Sequence, residues 1–229
     1  MNDHVRDLVS VRDATERLLN AVAALDDTGV TEPSRLPGWS RGHVLAHLAR
    51  NADALVNVLE GRPMYVSAED RDADIERDAP RPLRTHLADL RDSAARFHGV
   101  WSGLADWSRV VELRNGVTDT AARVPFRRWI EVELHHVDLG IGYEPEDLPP
   151  DFVEREIVFL ADRFAGHPGV PPTRVTDGAR AWRTGRDGEE GPEVTVTGPA
   201  PALLGWLAGR RDGTALLVEG GPLPVLPPL

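Results

Sequence analysis

The chain of 229 residues contains no cysteine and no lysine. Without cysteine it has no disulfide, no thiolate metal ligand and no thiol nucleophile of its own. Without lysine it can form no Schiff base and no phosphate-loop contact of the lysine type, and all 26 basic side chains are arginine. An arginine-only chain rich in Ala, Gly and Pro is also what a high-GC genome produces. Positive charge is scarce overall: 37 acidic residues leave a formal net charge of -11. Binding to nucleic acid leans on Lys and Arg against phosphate, so that partner class is disfavoured. No apolar run approaches the length of a membrane span. The polar stretch Met1 to Asp13 has no signal-peptide core. A cytoplasmic protein with no membrane contact, and a monomer, is the expectation.

What is present suits a globular protein. Hydrophobic residues make up 41% of the chain, enough for one large or two small domains with real cores. Residues 4–27 carry Leu8, Val11, Leu18, Val22 and Leu25 at helical spacing. Thr31 to Trp39 reads as a loop. Ser40 is the expected N-cap of a second helix over about 41–61, with an apolar stripe of Val44, Leu48, Leu55 and Leu59. Residues 63–80 read as a charged loop. The third helix follows Leu83, Leu87, Leu90, Ala94, Phe97, Trp101 and Leu104. Val110 to Val117, with Asn115-Gly116, reads as a short hairpin. Pro125 suits the first turn of a fourth helix that ends near Gly140 or Gly142, with Ile130, Leu134, Val137 and Ile141 as its core stripe.

Four amphipathic helices imply a bundle. Residues 144–151 read as a linker, and the pattern then changes. A helix over 152–165, strands within 173–184 and 193–197, a short apolar helix from Leu203 to Arg210 and a strand from Leu216 to Glu219 make a small α/β domain. The expected fold class is α+β: a helical bundle over 1–145, then a small α/β domain over 151–229.

The chemistry concentrates in two of the helices. Glu131 and His135 are four residues apart and share a face of the fourth. The second helix offers another imidazole. One carboxylate and two neutral imidazoles form a zinc ligand set with a coordination position left open, as a catalytic metal requires. Spacing alone does not fix the upstream ligand, because His43 and His47 are themselves four apart. His47 adjoins Val44 and Leu48 and so turns toward the interior. His136 points about 100° away from His135. His43 and His136 are read as non-ligands. Asp138 either orients a ligand histidine or serves as a cap or ion-pair partner.

The stretch Gly38-Trp39-Ser40-Arg41-Gly42-His43-Val44-Leu45-Ala46-His47 resembles the opening motif of the DinB/YfiT-like bundle family. Arg128 to Leu139, with Arg128, Glu131 and then His135-x-x-Asp138-Leu139, is similar to that family's second motif. The loop Pro63 to Arg71 and the segment Ala208-Gly209-Arg210-Arg211-Asp212-Gly213 resemble, within it, the branch of mycothiol-dependent maleylpyruvate isomerases. The resemblance implies a four-helix bundle followed by a sterol-carrier-like α/β domain. It implies zinc, or another divalent ion, held by His47, Glu131 and His135. It implies Arg71 and Arg210 as catalytic residues on the substrate side, and the two are expected to approach one cleft at the domain junction, facing the metal. The implied thiol is mycothiol, the implied substrate a small dicarboxylate, and the implied reaction a reversible addition of a zinc-held thiolate that lets the cis double bond of maleylpyruvate rotate to fumarylpyruvate. Two other readings stand beside this one: a mycothiol S-transferase acting on electrophiles, and a non-catalytic metal-binding module.

Overall fold

The structure is a computed structural model that describes residues 3–186 and 193–229. It divides into two compact units, Met1–Gly142 and Tyr143–Leu229. The first is helical and the second carries a small sheet, which is the expected fold class.

The first unit is built on four long helices, α1 (Asp3–Val22), α3 (Arg41–Leu59), α5 (Leu83–Ser102) and α6 (Val124–Asp138), with two shorter ones, α2 (Asp27–Thr31) and α4 (Ala68–Asp78). Helix α3 packs on α5 and α4, and α6 packs on α1 and α3. Trp101, Trp129, Phe97, Leu18, Leu45, Leu48 and Leu55 are fully buried. Ser40 caps α3 as its sequence suggests: its hydroxyl accepts from the His43 amide, and His43 Nδ1 accepts from the Ser40 amide at 3.1 Å. A hairpin of β1 (Val110–Glu112) and β2 (Thr118–Thr120) precedes α6. Asn115 and Gly116 at its tip have φ of 60° and 70°, a region Asn and Gly tolerate best.

Three expectations need correction. Residues 63–80 are not loop throughout, because α4 occupies Ala68–Asp78. Ile75 is its one buried apolar side chain, so hydrophobic periodicity does not reveal it. The signal it does carry is electrostatic: the Ser67 hydroxyl accepts from the Asp70 amide at 3.0 Å, with Glu69 and Asp70 in the first turn and Arg77 in the last. Asp78, fully buried, pairs with Arg77 and Arg81 and lies 3.7 Å from Arg50 of α3. Secondly, α6 is not buried along a stripe. Ile130 and Ile141 are only half-buried, whereas Arg128, Glu133, His136 and Asp138 are inside. Thirdly, residues 144–151 are structured: a 3-10 turn spans Pro145–Asp147, and α7 (Pro150–Phe164) starts directly after it.

In the second unit the sheet order is β4 (Ala181–Thr184), β3 (Thr173–Thr176), β5 (Val194–Thr197), β6 (Leu217–Glu219). The β3–β5 pair is parallel and the outer pairs are antiparallel. Helix α8 (Ala200–Leu207) joins β5 to β6 and packs on α7. Phe152, Ile157, Phe164, Val175, Val196 and Leu203 form the core.

The Ala79 carbonyl is where α3, α4 and α5 meet. A Cβ on Gly42 of α3 would lie 2.1 Å from that oxygen, which is backbone and cannot yield cheaply. Gly42→Ala is therefore expected to destabilise the first unit by about 1–3 kcal/mol, read as a fall in the denaturation midpoint; an unchanged midpoint would show that the helices adjust freely. Buried His86 of α5 faces the same oxygen from Nε2 at 3.2 Å. Burial is the main cause holding its pKa below 6.5. As pH falls below about 6.5 the unfolded chain takes up this proton first, so stability is lost toward acid. His86→Gln keeps a donor and removes the titration. Its stability is expected to fall less than the wild type's between about pH 7 and 5; parallel profiles would contradict this.

Candidate metal centre

Two arginines hold α3 and α6 in register around the cluster. Buried Arg128 of α6 donates to the Leu48 carbonyl and to Asn51 Oδ1, both at 2.8 Å. Leu48 is the neighbour of His47. Burial lowers the Arg128 pKa to about 10, so it stays charged at neutral pH. At the other end, Arg41 of α3 donates to the Leu139 carbonyl at 2.9 Å, where α6 leaves its last carbonyls unpaired.

Between these ties the side chains of His47, Glu131 and His135 converge, with one ligand atom from each lying within 4.8 Å of the others. His47 Nε2 is 3.0 Å from Glu131 Oε2, and His135 Nε2 is 3.3 Å from the same oxygen. The two imidazoles meet edge to face, centroids 4.6 Å apart. A tetrahedral ion with bonds of about 2.0–2.1 Å sets its ligand atoms roughly 3.3 Å apart, so these edges fit one. Two imidazole nitrogens and a carboxylate oxygen are also the donor set that zinc and similar divalent ions accept. Three protein ligands leave a position open for a further group.

The charge states of His47 and Glu131 suit this role. Burial is the main cause that lowers the His47 pKa to about 4, so the ring is neutral at physiological pH. For Glu131, burial works against the charged form, but hydrogen bonds from His135 and His47 outweigh it and hold the carboxyl well below its ordinary range. Burial likewise opposes protonation of His135. Its bonds to Asp138 and Glu131 outweigh that and raise its pKa. His135 Nδ1 donates to buried Asp138 Oδ2 at 2.8 Å, which fixes the ring and leaves Nε2 facing Glu131.

Arg71 also reaches this cluster. It lies on α4 rather than in a loop, and its Nη2 is 3.2 Å from His47 Nδ1. Guanidinium can only donate, so Nδ1 accepts and Nε2 carries the imidazole proton toward Glu131. Arg71 Nη1 pairs with Asp72 at 2.6 Å. Arg210 belongs to the second unit, just past α8, and donates to the Ala208 carbonyl at 2.6 Å. His43 is outside the cluster; its Nδ1 serves the α3 cap and its Nε2 lies 3.4 Å from Glu76. His136 is buried elsewhere in the bundle.

Three neighbours escaped the sequence reading. The Trp39 ring is tilted against His47 at 5.7 Å and stacks over His43 at 6.1 Å. It shields the imidazoles rather than filling the core; the Gly38-Trp39-Ser40 motif holds it, but no periodicity marks it. Tyr65 lies with its ring centre 6.0 Å from the Arg71 guanidinium. Burial, followed by the Glu131 charge, raises its pKa and keeps the phenol protonated. Arg128 was visible only as part of a motif, not as a buried tie.

Residues 11–140 match the model of the mycothiol maleylpyruvate isomerase N-terminal domain, and residues 147–228 match that of the corresponding C-terminal domain. Among solved structures, a mycothiol-dependent maleylpyruvate isomerase superposes with a TM-score of 0.90 at 24% identity, covering 99% of this chain and 97% of that one. A histidine-to-alanine mutant of a mycothiol-dependent maleylpyruvate isomerase gives 0.89 at the same identity and coverage. At that identity the likeness establishes the fold. No curated protein matches the chain.

The protein is expected to hold about one divalent ion per chain. His47→Ala and His135→Ala should each remove it, while His43→Ala should retain it. Asp138→Asn should weaken metal affinity about 10- to 100-fold by releasing the His135 ring. Elemental analysis of protein purified without chelators decides the matter; full metal content in His47→Ala or His135→Ala would refute the ligand set.

Proposed function

The chain belongs to the mycothiol maleylpyruvate isomerase family, and from that premise we propose that it is a thiol-dependent cis-trans isomerase converting maleylpyruvate to fumarylpyruvate. The observation that carries this reading is the juxtaposition of His47, Glu131 and His135, with Arg71 in contact with His47, in a chain that has no cysteine. Any thiol chemistry here must use a thiol from outside, and mycothiol is the one the family name states. His47, Glu131 and His135 would hold a divalent ion such as zinc, and that ion, when bound, would supply a place where an external thiol is kept as thiolate, the nucleophile that a reversible addition to the double bond requires.

The chain's own residues supply the rest. Asp138 orients His135. Neutral His47 and ionised Glu131 are in the charge states that ligation requires. Were Nε2 of His47 to ligate a cation, Nδ1 would carry the imidazole proton and could not accept from Arg71, whose guanidinium would be free for a carboxylate or an enolate oxygen of the substrate. It matches either by two-pronged hydrogen bonding, which a point charge does not. The segment Ala208–Gly213 supports Arg210 as a second guanidinium on the substrate side. Tyr65, protonated and beside Arg71, is a further donor. Trp39 covers the imidazoles, which favours a dry site and strengthens each of these charge contacts.

Purified protein loaded with metal is expected to isomerise maleylpyruvate only when mycothiol is added, and to leave the thiol undepleted after many turnovers. Thiol loss in step with product would instead mark an S-transferase. Full isomerisation without any added or co-purified thiol would refute the mechanism.

A further inference from the structure

The first unit contains a cavity of about 590 Å³ that the metal cluster does not occupy. Its walls are the segment after α3, from Gly61 to Ser67, and the hairpin from Val110 to Gly116. The two sites share Tyr65. That side chain lines the cavity, and the charges of Glu131 and Arg71 on the metal side both act on its phenol. The cavity and the cluster are thus neighbours within one unit.

Three arginines line the cavity, and they differ in what else they do. Arg109 donates to the Leu59 carbonyl at 2.6 Å and so is committed to holding the hairpin against α3. Arg62 donates to Asn57 at 2.7 Å and pairs with Glu60. Arg114, at the hairpin tip, accepts from the Val117 amide through its carbonyl at 3.3 Å, but its guanidinium makes no hydrogen bond or ion pair among the described residues; its charge acts through space on Tyr65, whose pKa it lowers. The tip is held by the Leu113 amide donating to the Val117 carbonyl at 2.7 Å and by the left-handed pair Asn115-Gly116. The lining also holds Val58, Met64, Val111 and one carboxylate, Glu112; with three guanidinia against it, and that of Arg114 uncommitted on the turn, the hollow suits an anionic group on an otherwise uncharged chain.

We propose that this cavity is the subsite for the far end of the substrate and that Arg114 binds the carboxylate remote from the reacting double bond. The assignment rests on the isomerase reading for the identity of the dicarboxylate. Arg71, in contact with His47, serves the end of the substrate at the metal; Arg114 lies on the same unit and lines the same cavity as Tyr65 from the hairpin. Arg114 is a positioning and specificity residue, because it touches substrate away from the atoms that react.

The test uses full-length, metal-loaded protein and two unreactive probes: a saturated dicarboxylate of the substrate's chain length and the matching monocarboxylate. Calorimetry is expected to show the dicarboxylate binding wild type more tightly than the monocarboxylate, and Arg114→Gln losing that preference with an affinity about ten-fold lower or more. The monocarboxylate affinity, the metal content and the KM for thiol are expected to be unchanged, while the KM for maleylpyruvate rises and kcat holds. Dicarboxylate should also shift the backbone amide resonances of Asn115 and Gly116 in wild type, a readout that needs no variant. Equal dicarboxylate affinity in wild type and Arg114→Gln, or amide shifts that spare the hairpin tip, would overturn the proposal. Arg114-dependent dicarboxylate binding by a protein without isomerase activity would uphold the subsite and overturn the isomerase reading instead.

Discussion

The burial of Arg128 is the constraint on which the rest of the first unit depends. A guanidinium inside a helical bundle is costly unless its donors are met, and Arg128 meets the Leu48 carbonyl and Asn51 on the opposing helix. Those bonds permit one register of α6 against α3. A slide of one residue along either axis would leave a charged group unsatisfied, at a cost of several kcal/mol. Arg41 makes a second tie at the far end, to the Leu139 carbonyl. With both ends held, His47 has no choice but to face Glu131 and His135. The metal cluster is therefore a consequence of helix register, and the register is set by arginine rather than by the apolar stripe.

Much of this was legible beforehand because helices announce themselves by spacing. Leu90, Phe97 and Trp101 repeat at the interval that buries them, and Ser40 marks a helix start by chemistry that does not depend on context. The i,i+4 relation of Glu131 and His135 is likewise a property of one helix. What one helix cannot report is distance to another. Spacing left His43 and His47 equivalent; the structure separates them because His43 spends its Nδ1 on the cap of its own helix. The stripe expected on α6 was too narrow for the same reason. A helix packed on two neighbours buries polar groups such as Glu133, met by Arg17 at 2.5 Å and Trp129 at 3.0 Å, that periodicity counts as surface. Helix α4 lay hidden because ion pairs around Asp78 hold it in place of apolar burial. The Pro63–Arg71 motif holds Tyr65 without marking it, and the hairpin cavity had no sequence signature, since it arises from a loop and a turn brought together by the fold.

The electrostatics of the centre follow from a division of labour between two similar histidines. His47 is buried without a carboxylate on Nδ1 and is neutral; His135 has Asp138 on Nδ1 and gains basicity. Arg71 on His47 takes the place that a carboxylate holds on His135. The asymmetry couples the state of His47 to the Arg71 guanidinium through a single side-chain contact. In a chain without cysteine or lysine, the cluster is built from imidazole, carboxylate and guanidinium alone.

The central claim is that the open position of the centre receives the thiol. X-ray absorption at the zinc edge reads this directly, since the protein has no cysteine to supply a thiolate of its own. Zinc-loaded protein alone should show only nitrogen and oxygen neighbours near about 2.0–2.1 Å, and adding mycothiol should bring in one sulfur at about 2.3 Å. A spectrum unchanged by saturating thiol would contradict the account.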